Sequence, residues 1–381
     1  MSASTWALVP VGLVIAGKLL EGYSLRRKRA RISTVIHVNG TRGKTQTTKL
    51  LTHVLQVNGI GAIGKTTGDS PQLIDVDGTT IPIRRRAPAS IAEQAWTIRQ
   101  AVRRNAEALV VECMAIHPEL QKASEHAILR SQIGVITNVR LDHVDVQGTS
   151  LEDIARALSS AIPYKGVVFT AETEHVLPIE RESAKRKTKL VVVKPDYSED
   201  LNTGELYPDN VALVLAVCQH LGIGASEAIE AIEQYAKIEQ SDRSFSIHSK
   251  GKLITFINAL SANDPVSTQL RFENEMSRFG HDVPWIGLFC HRQDRAYRAK
   301  LFQPLGKRGA FDALFTAGDR MIGQRHIFPG AVNLSRIGQP ARLWHQIVEH
   351  LDDESVVFAF GNARGIGQQL VQYLEKKGET T

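Results

Sequence analysis

From Ile32 onward, runs of β-branched apolar residues alternate with stretches whose apolar positions recur every three or four residues. The runs predict strands at Ser33–Val38, Ala108–Met114, Gly134–Thr137, Gly166–Thr170 and Leu190–Val193. The longer spacing predicts helices at Thr45–Val57, Ser90–Arg104, Leu151–Ala161 and Asp209–Leu221. A second series begins near Arg243. It has strands at Phe245–Ser249, Leu253–Asn258, Trp285–Cys290, Ala313–Thr316 and Val356–Gly361, and helices near Pro265–Phe279, Pro340–His350 and Gly365–Glu375. Strand and helix in alternation imply an α/β protein, a mostly parallel sheet covered on both faces and then a smaller Rossmann-like α/β domain. The polar stretch KIEQSDRS, between Tyr235 and Ser244, separates residues 32–240 from residues 241–381.

The first thirty residues follow neither pattern. Trp6–Leu20 is apolar except for Lys18, and Arg26, Arg27, Lys28, Arg29 and Arg31 come after it. The apolar stretch is shorter than the ~20 residues of a comfortable bilayer span. Its charges follow the apolar core instead of preceding it, which argues against a cleaved signal peptide and favours an uncleaved N-terminal anchor over residues 1–31. The basic run would then hold the rest of the chain at the cytoplasmic face of the cell membrane. An amphipathic or buried N-terminal helix is the alternative.

Composition narrows the partners. The chain has 381 residues, 43% of them apolar, which is ample for two domains. The net charge of +6 resides largely in the N-terminal run, and aromatics make up only 6%, so nucleic acid is not the expected partner. An acidic substrate or an anionic membrane surface fits the balance. Cys113, Cys218 and Cys290 lack metal-ligand spacing and read as buried reduced thiols.

The chemistry begins after the first predicted strand. Gly40-Thr41-Arg42-Gly43-Lys44-Thr45 is a phosphate-binding loop with two residues, not four, between its first glycine and the Gly-Lys pair. Strand, glycine turn and helix place backbone N–H groups and the positive end of a helix dipole toward an anion. Lys44 suits β- and γ-phosphates, and the Thr45 hydroxyl suits Mg²⁺. Glu112 ends a strand on the rim where open α/β sheets bind ligands, and is a Mg²⁺ candidate. Residues 63–68, IGKTTG, form a second glycine-rich loop or a surface turn. Thr137–Asp145, with Asn138, Asp142 and His143, is a metal or phosphate site or a solvated turn.

Together these motifs resemble the Mur ligase superfamily. The strings GKTTG (64–68), VVECMAIHPELQ (110–121), GVITNVRLDHVDVQG (134–148), AIPYKG (161–166), PDNVALVLAV (208–217), NALSANDPVST (258–268) and CHRQDRAYR (290–298) are similar to the ATP-dependent ligase subunit of poly-γ-glutamate synthases, the CapB/PgsB type. The resemblance implies a P-loop central domain of the Mur ligase type, ATP and Mg²⁺ as cofactors, and activation of a γ-carboxylate as an acyl phosphate before amide formation with glutamate. In that reading Gly40, Thr41, Arg42, Gly43, Lys44 and Thr45 cradle ATP, and Thr45 and Glu112 hold one Mg²⁺. His143 holds a second, Thr66 adds a ligand, and Asn138 and Asp142 orient the shell. Asn210 contacts adenine, or else caps a helix. Arg243, Asn263, Asp264, Arg292, Asp294 and Arg295 close over nucleotide and acyl phosphate, with Lys44, Glu112, His143, Arg292 and Arg295 in the chemistry itself. The implied partners are glutamate, an acidic poly-γ-glutamate chain and integral-membrane subunits of the synthase complex, with self-association left open.

The chain departs from the pattern at His117, where asparagine is frequent, and in its polar interdomain link, and no carbamylated lysine is placed. Alternatives are another Mur-superfamily ligase of folylpolyglutamate or cell-wall type, or a non-catalytic ATP-binding membrane scaffold. Arg84-Arg85-Arg86 reads as a solvated loop, or as a guide for an acidic polymer. Gly361–Gly367 looks like a dinucleotide fingerprint, but only fourteen residues follow it. No βαβ unit fits after it, so it reads as a tight strand–helix turn.

Overall fold

The structure, a computed structural model, describes residues 3–68, 71–85, 88–195, 206–241, 244–260, 265–307, 309–321 and 323–378. The chain divides into two compact units, residues 1–236 and 237–381.

The first unit runs α1 (Ala3–Arg29), β1 (Thr34–Asn39), α2 (Lys44–Val57), β2 (Ala62–Lys65), β3 (Gln72–Ile74), β4 (Thr80–Pro82), α3 (Ala92–Arg103), β5 (Ala108–Glu112) and α4 (Pro118–Ala123), which continues as a π-helical turn over Ser124–Leu129. Then follow β6 (Ile133–Ile136), α5 (Val144–Gln147), α6 (Leu151–Leu158), β7 (Val167–Thr170), α7 (Leu177–Lys185), β8 (Lys189–Val192), α8 (Pro208–His220) and α9 (Ala225–Ser241). Among the described residues the sheet has eight strands in the order β4-β3-β2-β5-β1-β6-β7-β8. It is parallel except at the β2-β3-β4 edge.

β1 shows why the sheet is sandwiched. Ile36 and Val38 pack with Leu50, Leu51 and Val54 of α2 and Val211 and Val214 of α8, while Val35 joins Ile98 of α3 on the opposite face. Alternate residues of a strand point to opposite faces, so a strand buried at nearly every position, as β1 is, requires cover on both. β5, β1 and β6 lie side by side, so Glu112, Gly40 and Thr137 follow one another along the carboxyl edge.

The second unit runs β9 (Ser244–Ser249), β10 (Lys252–Asn258), α10 (Pro265–Phe279), β11 (Trp285–His291), α11 (Tyr297–Leu301), α12 (Gln303–Lys307), β12 (Ala313–Gly318), α13 (Gln324–Ile327), β13 (Val332–Asn333), α14 (Pro340–Val348), β14 (Glu354–Gly361) and α15 (Ile366–Gly378). Among the described residues its strand order is β13-β12-β11-β14-β10-β9, and only β9 is antiparallel to its neighbour. Trp344 of α14 and Leu370 and Leu374 of α15 fill one face, and Phe272, Phe302 and Phe328 fill the other. Residues 361–365 make the tight turn from β14 into α15, as the sequence predicts.

Two expectations change. α1 is one helix from Ala3 through the basic run, longer than the apolar stretch alone. Among the described residues, no helix is long and apolar enough to cross a membrane. Arg29 is not a solvent-facing charge of that run. It is buried and donates to the carbonyls of Leu129, Ile32 and Arg130 and to Gln132 Oε1. The second concerns residues 63–68, expected as a glycine-rich loop or a surface turn: Ala62–Lys65 form a fully buried strand, β2, and the non-strand part is confined to the residues after Lys65.

Candidate active site

The short glycine loop is built against β6 and α8. Gly40 has φ +125°, and a Cβ there would lie 2.1 Å from Thr137 Oγ1. Gly43 has φ +82°, and its Cβ would lie 2.6 Å from Asn210 Oδ1. Both positions therefore demand glycine, through conformation and through space. The segment after β6 ties the loop down. Thr41 N donates to Asn138 O at 3.0 Å, Arg42 N to Asn138 Oδ1 at 3.1 Å, and Arg140 N to Thr41 Oγ1 at 3.0 Å. Asn138 Nδ2 and Thr137 Oγ1 both donate to Arg42 O, at 3.2 and 2.5 Å. Arg42 also pairs with Asp142 at 3.5 Å.

α2 starts at Lys44, so its free N–H groups and dipole face the loop. Lys44 Nζ donates to Gly40 O at 2.7 Å and Thr41 O at 3.1 Å. Thr45 Oγ1 donates to Glu112 Oε2 at 3.0 Å, and the same oxygen accepts Thr67 N at 2.8 Å. Gln94 Nε2 donates to the Glu112 carbonyl at 3.3 Å. A hydroxyl and a carboxylate thus meet beside the loop.

Other expected residues fall elsewhere. Thr66 is not brought to Glu112, because its hydroxyl engages the backbone of Gln72 and the backbone N–H of Thr67 reaches the carboxylate instead. Asn210 is no helix cap. Tyr207 precedes the first turn of α8, and the Asn210 amide is buried against Gly43, donating to Gln46 Oε1 at 2.8 Å. His143 sits at φ +46° with its ring 3.8 Å from Asp142. The carboxylate neighbouring its ring is Asp142, not Glu112. His117 caps α4 through its side chain. In the second unit, Arg292 pairs with Asp294 at 2.6 Å and Arg295 donates to Tyr297 at 3.4 Å, both just after β11. Arg298 donates at 3.0 Å to Asn362, which follows β14 on the same sheet edge. Arg243, Asn263 and Asp264 lie outside the described residues.

The comparisons with known proteins agree with this layout. Residues 38–249 match the Mur ligase middle domain, and residues 245–377 match the poly-gamma-glutamate synthase CapB C-terminal domain. The chain belongs to the Mur ligase family. Within the family it is similar to the capsule biosynthesis protein CapB of Bacillus anthracis, 33% identical over 77% of this chain and 64% of that protein. It is likewise similar to the PGA synthase CapB of Bacillus subtilis (strain 168), 32% identical over 78% of this chain and 77% of that one. The chain spans just under two thirds of the length of the first of these relatives. Its fold resembles a bifunctional folylpolyglutamate synthase/dihydrofolate synthase crystallised with Mn, AMPPNP and L-glutamate, with a TM-score of 0.70, 15% identity, and 92% of each chain covered.

Three buried groups carry chemistry that the sequence did not announce. Lys65 is fully buried on β2, with Nζ 3.3 Å from Glu93 Oε2. Burial lowers its pKa against the pull of Glu93. Glu93 also takes Arg85 in a two-pronged pair at 2.7 and 3.0 Å, so Arg85 is no solvated loop residue. Burial works to raise the Glu93 carboxyl, but Arg85 and Lys65 hold it below the ordinary range. His37 of β1 lies 2.9 Å from Glu125, both buried. Burial opposes the imidazolium, yet the Cys113 sulfur and the Glu125 carboxylate raise its pKa to about 10. The three cysteines are buried free thiols, and burial pushes Cys218 and Cys290 up to about 12.

Proposed function

We propose that this chain is an ATP-dependent amide ligase that activates a γ-carboxylate and joins glutamate to growing poly-γ-glutamate. The observation that carries the reading is the meeting of the glycine cradle with the Thr45–Glu112 pair at neighbouring strand ends, in a chain whose second unit matches the CapB C-terminal domain. A cradle that no Cβ would fit suits a closely approaching phosphate chain. One hydroxyl and one carboxylate are hard oxygen donors fit for Mg²⁺. Among the described residues no three His, Cys, Asp or Glu side chains gather into a metal cage. That suits an ion that keeps waters and takes phosphate oxygens for the rest of its shell. A Mg²⁺ ion there would be held by Thr45 and Glu112 and would supply neutralisation of phosphate charge.

The protein's own groups account for the remainder. Loop N–H groups and the start of α2 hold the triphosphate in place. Lys44 exchanges the carbonyls of Gly40 and Thr41 for the γ-phosphate and draws off charge as the acceptor carboxylate attacks phosphorus and ADP departs. Asn138 and Asp142 hold the loop in register by gripping Arg42. Phosphorylation turns a carboxylate oxygen into a leaving group. The amine of the next glutamate then attacks the acyl carbon, phosphate leaves, and the amine gives up a proton. Arg292 and Arg295 are proposed to bind the acyl phosphate through their planar forks. His143 is proposed as a ligand of a second Mg²⁺, and Asn210 as a residue that contacts adenine.

We also propose attachment to the cytoplasmic face of the membrane through α1 together with membrane subunits. Leu19, Leu20 and Tyr23 are 70, 68 and 61% exposed beside the basic turn Arg26–Lys28, which supports an interfacial role. The test is incorporation of radiolabelled glutamate by membranes containing the full chain, with ADP measured in parallel. The outcome expected is ATP-dependent elongation of an oligo-γ-glutamate acceptor. Elongation of a folate or cell-wall peptide acceptor in its place would sink the assignment.

A further inference from the structure

A cavity of about 510 Å³ opens between the β3–β4 hairpin and α3, apart from the phosphate cradle. Pockets of ~300–1,000 Å³ hold small ligands. Ile81, Ile83 and Trp96 give it apolar walls, while Arg84, Arg85 and Arg104 bring three guanidinium groups against the carboxylates of Glu93 and, behind Arg104, Asp75. Arg104 is fixed in the wall by Asp75 and Gln100, each at 2.6 Å, and Arg84 is exposed at the rim.

How this wall treats a glutamate side chain is visible in Glu93 itself. Arg85 grips both its oxygens, and Lys65 reaches one of them from the floor. The same elements lead to the reaction site. Gln94, beside Glu93 on α3, bonds the Glu112 carbonyl, and Thr67, two residues after Lys65, bonds the Glu112 carboxylate. The cavity therefore shares its walls with the supports of the proposed metal ligand.

We propose that this cavity is a binding subsite for the polymer, holding glutamyl residues of the growing chain behind its reacting end. A γ-linked glutamyl repeat offers one free carboxylate per residue, separated from the next by amide and methylene groups. Its methylenes lie on Ile81, Ile83 and Trp96, and its carboxylates are taken by Arg84 and the outer edge of Arg104. Net positive charge over an apolar floor matches that alternation, and it disfavours an uncharged or cationic occupant. The inference rests on reading the chain as a polyglutamate ligase.

The experiment is fluorescence anisotropy of a fluorescein-labelled oligo-γ-glutamate titrated with the full chain in detergent, without nucleotide. Wild type binds saturably. Arg84→Glu and Ile81→Glu, both at exposed positions, each weaken binding by about tenfold or more while leaving binding of a fluorescent ATP analogue unchanged. In turnover, the KM for the oligomer rises and kcat holds. Wild-type failure to bind the oligomer, or equal binding by both variants, overturns the subsite and leaves the ligase reading standing. Binding lost in both variants, with no glutamate incorporated into any acceptor by wild type, keeps the subsite and removes the ligase reading.

Discussion

The Thr45 hydroxyl donates to the Glu112 carboxylate at 3.0 Å, joining the first turn of α2 to the last residue of β5. Thr67 N holds the same oxygen from β2's side at 2.8 Å, so the carboxylate is oriented by the protein before any cation arrives. Glu112→Gln keeps the shape and one acceptor oxygen but removes the charge. The Mg²⁺ concentration needed for half-maximal ADP formation should rise about 10–100-fold. A Mg²⁺ titration identical to wild type would remove Glu112 from the metal site.

Among the described residues, Lys44 Nζ bonds to carbonyls of its own loop, at 2.7 and 3.1 Å. Lys44→Ala should therefore leave the melting temperature close to wild type while lowering ADP formation by about a hundredfold or more. Circular dichroism melts and a coupled ADP assay separate the two effects. Substantial turnover in the variant means the loop does not serve a γ-phosphate.

Gly43 and Gly59 have similar positive φ values, +82° and +77°, but different surroundings. A methyl at Gly43 meets the Asn210 amide at 2.6 Å, and nothing lies within 4 Å of one at Gly59. Gly59→Ala should cost only backbone strain, about 1 kcal/mol. Gly43→Ala should cost about 1–3 kcal/mol more and abolish nucleotide binding. Urea unfolding of both variants checks this, and equal losses would show that Asn210 does not wedge the loop.

His37, whose pKa is raised first by the Cys113 sulfur and then by Glu125, makes a prediction about pH. The folded pKa of about 10 is raised above the ordinary imidazole value of ~6.5. The unfolded chain therefore releases this proton first as pH rises. The stabilisation from protonated His37 is whole below about pH 6.5, declines above it, and is gone once pH passes about 10. Melting temperatures taken from about pH 6 to about pH 11 should fall more steeply for wild type than for His37→Gln. Parallel curves would show that His37 is neutral in the fold.

The parts that were legible in sequence are those where local composition and tertiary environment agree. β1, β5 and β6 are short runs rich in apolar, mostly β-branched residues because helices cover both faces, and so short a run suits a strand and not a helix. β2 was hidden because it contains Gly64 and Lys65. Gly64 is there because a Cβ would lie 2.5 Å from Thr52 Oγ1, and the Lys65 side chain is consumed by burial and by Glu93. β3 and β4 have three residues each, too few for a period of two to register. At the site, the glycine spacing pointed to the cradle, but spacing does not say which atom of a residue is used. Thr67 contributes its backbone where the Thr66 side chain was expected, and Asn210 faces Gly43 because α8 begins at Pro208. Arg29 looked like its neighbours in a charge run, and what distinguishes it is tertiary: the carbonyls at the end of the π-helical turn, the Ile32 carbonyl and Gln132.

Those contacts of Arg29 have a mechanical meaning. Its guanidinium shares the Oε1 of Gln132 with the backbone N–H of Val35, at 2.6 and 2.8 Å. Val35 belongs to the strand that runs without interruption to Gly40. A pull or tilt applied to α1 therefore reaches the phosphate cradle through two hydrogen bonds and one strand, with no slack linker between. Whatever grips that helix holds a lever on the glycine loop.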